Sequence, residues 1–175
     1  MPLKVGLIQV YTGEGKGKTT AALGQAVRAA GQGLRVCIVQ FMKGWPHYGE
    51  LPALAAIPAI TIRQFGRAEF VNKASPDPQD IREAEEGLAY ARQAMLSGQY
   101  DIIVLDEVNM ALDFELIPLA DVLRLCDEKP EHIELILTGR CAPPEIIRRA
   151  DLVTEMRSLK HPYDRGIQSR QGIEY

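Results

Sequence analysis

Residues 13–20 read Gly-Glu-Gly-Lys-Gly-Lys-Thr-Thr and constrain this chain more than any other stretch. An apolar run, residues 5–10, leads into them, and an alanine-rich segment follows. A glycine loop that ends in Lys-Thr between a strand and a helix is built to wrap a polyphosphate. Its backbone N–H groups face the anion, the helix N-terminus adds partial positive charge, Lys18 reaches phosphate oxygens and the Thr19 hydroxyl serves a divalent cation. The nucleotide-binding residues expected are Thr12, Gly13, Glu14, Gly15, Lys16, Gly17, Lys18, Thr19 and Thr20. One position departs from the usual pattern. The usual pattern has a glycine, then four residues, then the Gly-Lys pair, and counting back from Gly17 places Thr12 at that first position. Only Glu14, Gly15 and Lys16 separate Gly13 from Gly17, so the loop is tighter at its start.

Apolar strands alternate with helical stretches along the rest of the chain, which predicts an α/β fold with a parallel sheet covered on both faces. Strands are expected at residues 4–11, 34–41, 60–65, 102–105, 133–137 and 152–156. Helices are expected at 18–30, from Pro78 to Gly98, at 117–126 and at 144–150. Asp77-Pro78 is a capping residue followed by proline at the first helical position. Ile81, Ala84, Leu88, Ala91 and Met95 then mark one face. Residues 66–78 read as a loop, and 160–175 as a polar tail without period. In such a sheet, ligands sit at the C-terminal ends of the strands.

The second half of the site is expected at that edge. Ile102-Ile103-Val104-Leu105 ends in Asp106-Glu107, two acids delivered beside a divalent cation. The metal set is therefore Thr19, Asp106 and Glu107. Lys43 and Arg140 end two other strands on the same edge and are candidate phosphate or ribose contacts. His161 lies alone in the tail, without partners at metal-ligand spacing.

Bulk properties narrow the class. A chain of 175 residues fits a single domain over 1–175 with a sizeable core. A net charge of −3 announces no basic face for nucleic acid. Cys37, Cys126 and Cys141 are unclustered, which excludes a zinc ribbon and suits a cytoplasmic setting. No apolar run approaches the ~20 residues a membrane span requires, and the N-terminal stretch does not read as a signal peptide. Asn72-Lys73-Ala74-Ser75 lacks the aspartate with which regulatory GTPases read guanine.

Taken together, these residues resemble the P-loop corrinoid adenosyltransferases, which move the adenosyl group of ATP to the cobalt of a reduced corrinoid. The likeness runs nearly end to end. It includes Val10-Tyr11-Thr12-Gly13 and the loop, Val39-Gln40-Phe41 with Lys43-Gly44-Trp45-Pro46, Val104-Leu105-Asp106-Glu107 and Leu137-Thr138-Gly139-Arg140. It closes on Lys160-His161-Pro162-Tyr163 and Gly172-Ile173-Glu174-Tyr175. The resemblance implies a RecA-like sheet, Mg²⁺ (or Mn²⁺) with ATP, a homodimer, an electron-donating flavoprotein, and ATP lying reversed in the loop. It also implies triphosphate as leaving group, with Lys18 and Glu107 at the chemistry. Family members carry a Phe and a Trp after the third strand as an apolar wall under the corrin. This chain reads Phe65-Gly66-Arg67-Ala68-Glu69-Phe70-Val71 there, without tryptophan, which leaves Phe70 with Val71 as the candidate wall. Longer members close the site with an N-terminal extension. Here the strand begins within a few residues of Met1, so closure is expected from the 66–78 loop or the tail. Another P-loop kinase or ATPase, and a non-catalytic nucleotide- or corrinoid-binding module, are the alternative readings.

Overall fold

The computed structural model describes residues 3–175. Six strands form one sheet: β1 (Ile8–Thr12), β2 (Val36–Phe41), β3 (Ile60–Phe65), β4 (Ile102–Asp106), β5 (Glu134–Thr138) and β6 (Leu152–Glu155). Their order is β3-β2-β4-β5-β1-β6 and every pairing is parallel. Helices α1 (Lys18–Gly31), α2 (Glu50–Ala55), α3 (Pro78–Leu96), α4 (Val108–Asp113), α5 (Leu119–Asp127) and α6 (Pro144–Arg149) connect them. This is the α/β architecture of a RecA-like P-loop fold.

The alternation of side chains along each strand divides the core in two. On one face Val36, Ile38, Val104 and Ile136 pack against Ala22, Ala26 and Ala29 of α1 and Leu54 of α2. The small alanine surface lets α1 lie close to the sheet. On the other face Val39, Phe41, Leu105 and Leu137 meet Ala84, Ala91 and Met95 of α3, with Val108, Val122 and Ile146 from α4, α5 and α6. Helix α3 begins as its sequence predicts. Asp77 Oδ1 accepts from the Gln79 N–H at 2.8 Å, and Asp80 returns the favour to the Asp77 N–H at 3.2 Å.

Several elements differ from the sequence expectation, and α2 and a 3₁₀ turn at Pro162–Arg165 stand where none is expected. β1 starts at Ile8 rather than residue 4, because the chain enters the sheet on carboxylates: Leu7 N–H donates to Glu134 and Ile8 N–H to Asp151. α4 follows directly on Asp106-Glu107, where no element is expected. Its one and a half turns are too short to show a period, although Val108, Ala111 and Leu112 are all buried.

The register fixes the site. Gln40 is paired with Asp106 and Tyr11 with Thr138, while Leu105 faces Leu137 one step earlier. Gln40, Asp106 and Thr138 thus end adjacent strands at one level, beside the exit of β1 into the loop.

Candidate active site

Asp106 is fully buried, and each carboxylate oxygen accepts two hydrogen bonds. Oδ1 takes the hydroxyls of Thr19 (2.8 Å) and Thr138 (2.7 Å). Oδ2 takes Gln40 Nε2 (3.1 Å) and Lys43 Nζ (2.9 Å). A buried carboxylate needs this degree of satisfaction to remain charged. Burial works against the charge, but Lys43 and the hydroxyl bonds outweigh it, so the Asp106 carboxyl lies below its ordinary value. Lys43 is the counterpart: burial pulls it down, and Asp106 with Glu50, 3.7 Å away, raises it above the usual ammonium range. Lys43, the candidate phosphate or ribose contact, is held in an ion pair with Asp106, with 14% of its side chain exposed. The Met42 backbone, at φ 57°, turns the chain out of β2 just before it.

Lys18 is held differently. Its ammonium donates to the carbonyls of Gly13 and Gly15 in its own loop, each at 2.7 Å, and burial lowers its affinity for the proton. The loop is clamped from outside by the strand after α6. Gly15 N–H donates to the Met156 carbonyl at 2.6 Å, and a Cβ on Gly13 or Gly15 would stand 2.5 or 2.7 Å from that same oxygen. Gly13 also has φ +93°, which favours glycine. The tightened start of the loop is therefore a close backbone crossing with residues 156–157.

Glu107 has left-handed backbone (φ 64°) between β4 and α4, and its N–H donates to Thr138 Oγ1 at 2.9 Å. Burial, then the neighbouring Asp106 charge, push its carboxyl up. It is half-buried and lines a cavity of about 680 Å³ together with residues 14–20 of the loop. Lys43, Arg140 and Phe70 line this cavity too. Thr12 and Gly13 do not; they support the loop from behind, with Thr12 Oγ1 accepting from the Ala142 N–H at 3.3 Å. Arg140 is exposed and lies 3.4 Å from Glu14, a rim ion pair. Phe70 is fully exposed at the mouth, whereas Val71 is partly buried and packs against the hydrophobic core. His161 Nδ1 accepts from the Tyr163 N–H, capping the 3₁₀ turn Pro162–Arg165.

Both segments expected to close the site reach it. The 66–78 loop brings Phe70, and the tail brings Gly172, Ile173, Glu174 and Tyr175 to the cavity. Sequence reasoning gave no role to Gln40, Thr138 or Glu50. The first two were detectable as polar residues that follow apolar runs at the last or next-to-last position of their strands. Glu50 carried no such signal.

A glycine loop, a lysine bonded only to loop carbonyls, a hydroxyl on a buried aspartate and a second acid thus meet at one edge of the sheet. Which reaction they serve is decided by comparison with known chains. The family profile described as ATP:corrinoid adenosyltransferase BtuR/CobO/CobP matches residues 4–175. The chain belongs to this family. The corrinoid adenosyltransferase of Escherichia coli K12 is 36% identical over 171 residues, covering 97% of this chain and 86% of that protein. That of a Sinorhizobium species is 37% identical over 172 residues, covering 97% and 80%. An uncharacterized Nostoc protein is 37% identical over 180 residues; the chain spans 96% of itself but only 48% of that longer protein. The family is one of alkyl-transferring enzymes that use ATP and corrinoids. Among the described residues no helix is long and apolar enough to cross a membrane.

Proposed function

We propose that this chain transfers the 5′-deoxyadenosyl group of ATP to Co(I) of a corrinoid and releases triphosphate. The observation that carries the reading is Lys18: a buried cation bonded only to loop carbonyls, at the mouth of a glycine cradle, in a chain of this family.

The chemistry asks little of proton transfer. The filled orbital of Co(I) attacks C5′, a cobalt–carbon bond forms, and the C5′–O bond breaks with its electron pair leaving on triphosphate. Cobalt is oxidised to Co(III) and carries no proton to remove, so no general base is required. What must be met is the charge growing on the leaving group. Lys18 and the loop N–H groups other than that of Gly15, which is bonded to Met156, are the donors that would meet it. Alignment of cobalt, C5′ and the leaving oxygen then supplies much of the rate. In this reading ATP lies reversed in the loop, with its triphosphate seated and C5′ turned outward.

The donors at the cavity suit Mg²⁺ or Mn²⁺, being hard oxygens only: the Thr19 hydroxyl and the Glu107 carboxylate. Asp106, with both oxygens already filled, acts through Thr19 by fixing its hydroxyl. When bound, such a cation neutralises triphosphate oxygens. Phe70, unsupported at the mouth, is the candidate apolar contact for the corrin. The reading extends to a single domain over 1–175, a homodimer, an electron-donating flavoprotein and a cytoplasmic setting, all carried by the family resemblance and composition.

Anaerobic incubation with Mg-ATP and chemically reduced cobalamin tests it. The expected outcome is the absorbance of a cobalt–carbon bond with free triphosphate in equal amount. ADP in place of triphosphate would establish a kinase or ATPase instead, and binding without product a non-catalytic module.

A further inference from the structure

The turn that leaves β5, residues 138–142, is tied down on two sides. Toward β1, Gly139 N–H donates to Tyr11 O at 3.2 Å and Ala142 N–H to Thr12 Oγ1 at 3.3 Å. Toward α4, Thr138 Oγ1 accepts from Glu107 N–H at 2.9 Å, and Asn109 Nδ2 donates to Gly139 O at 3.3 Å. The approach to α4 is close. Gly139 has φ +127°, and a Cβ there would stand 3.0 Å from both Asn109 Cβ and Met110 N. Cys141, at φ 53°, bends the chain again. Between these two bends lies Arg140, which reaches the nucleotide cavity.

Asn109 is the member of this junction whose hydrogen bonding is incomplete. It is fully buried, and among the described residues its Oδ1 is the one buried side-chain polar atom without a partner. A bond between neutral groups contributes little net stability, and a bare buried acceptor costs at least as much. Leucine has nearly the same shape and no polar atom to leave bare. Asn109 therefore adds little to the stability of the fold, yet its amide holds the carbonyl of the residue before Arg140. Arg140 itself is lightly held. Its ion pair with Glu14, at 3.4 Å, joins two side chains that are each more than half exposed. A guanidinium in that position keeps its donors for a phosphate. Anchored backbone beneath a long side chain leaves less freedom to be lost on binding.

We propose that Asn109 is a positioning residue, whose amide fixes the 138–142 turn so that Arg140 stands at the cavity rim to grip the triphosphate of ATP. The proposal rests on the reading of the loop as a triphosphate cradle.

Titration calorimetry on the full chain, with Mg²⁺ and inorganic triphosphate, tests it through a cycle of Asn109→Leu, Arg140→Ala and the double variant. Arg140→Ala should weaken triphosphate binding about tenfold, the low end for a hydrogen bond to a charged group. Asn109→Leu should weaken it roughly fivefold with Arg140 present and by less than about twofold in the Arg140→Ala background, the mark of coupled residues. The urea midpoint of Asn109→Leu should equal or exceed that of wild type. With reduced corrinoid, the same variant should raise KM for ATP and leave kcat within about twofold, as when an interaction is made alike before and during transfer. Asn109→Ala, which removes the amide without adding bulk, carries the calorimetric cycle if the leucine side chain does not fit. Equal weakening in both backgrounds, no weakening in either, a lowered midpoint for Asn109→Leu, or a fall in kcat alone would each overturn the positioning role. Wild-type affinity in Arg140→Ala would remove Arg140 from the phosphate and overturn it too, with the cradle intact. Failure of the wild-type chain to bind inorganic triphosphate is a separate result: it overturns the cradle, and the positioning role with it.

Discussion

Two lysines stand at the same edge of the sheet, Lys18 at the head of α1 and Lys43 beyond β2, and they are used in opposite ways. Lys43 is bonded to a carboxylate and shifted up; Lys18 is bonded to two carbonyls and shifted down. Among the described residues Lys18 belongs to no ion pair, whereas Lys43 lies within reach of both Asp106 and Glu50. The difference sets what each has left to offer a ligand. A cation already matched by a buried anion has little left to give an incoming phosphate. A cation held only by neutral carbonyls keeps its charge for one.

The largest effect that would sharpen this comparison is on stability. Lys43→Met leaves Asp106 buried and unmatched, and should cost about 3–5 kcal/mol, the usual penalty for breaking one side of a buried pair. Urea unfolding measures it, and a cost below about 1 kcal/mol would show the pair to be incidental. Lys18→Ala should do the reverse. Its turnover should fall by about 10²–10³, as when one preorganised contact to transition-state charge is removed, with little change in the unfolding midpoint. Triphosphate release at near wild-type rate would return the phosphate role to Lys43.

The same contrast predicts a pH dependence. Because the Asp106 carboxyl is depressed below its ordinary 3.8, its stabilisation is complete above that value and is lost as pH falls through the lower folded value. Acid unfolding should therefore steepen below about pH 4 in the wild type, and that step should be missing from Lys43→Met. The smallest structural effect is expected at the rim. Phe70→Ala should move stability by no more than about 0.5 kcal/mol, since the ring packs against nothing. It should nonetheless slow reaction starting from Co(II) more than from preformed Co(I); equal slowing of both would remove Phe70 from the corrin wall.

Much of this molecule was legible in its residues. The strand–loop–helix at residues 8–31, the capped start of α3 at Asp77 and the delivery of Asp106-Glu107 by β4 all follow from local pattern. Each is specified within a dozen residues of sequence. Helix α4 was not legible, being too short for a period and preceded by the left-handed Glu107. Nor was the role of Lys43. Whether a lysine after a strand faces phosphate, solvent or a carboxylate depends on which strand lies next to it. The order β2-β4 places Asp106 at its side. Phe70 shows the limit from the other direction: sequence named it, but only the fold shows that it stands free while Val71 packs inward.

By itself, then, the sequence determined the ligand class and the edge at which it binds, because a glycine loop, a Lys-Thr pair and a helix N-terminus are contiguous and act through backbone geometry. Their chemistry needs no distant partner to be recognised. The tertiary structure alone decided how the charges are divided. Asp106 draws its four hydrogen bonds from Thr19, Gln40, Lys43 and Thr138, residues spread over more than a hundred positions of chain. It decided as well that residues 156–157 close on the loop, which explains the tight glycines at 13 and 15, and that Ile173 meets Lys16. Coulomb energy and close packing depend on distance in space, and separation along the chain does not reveal it.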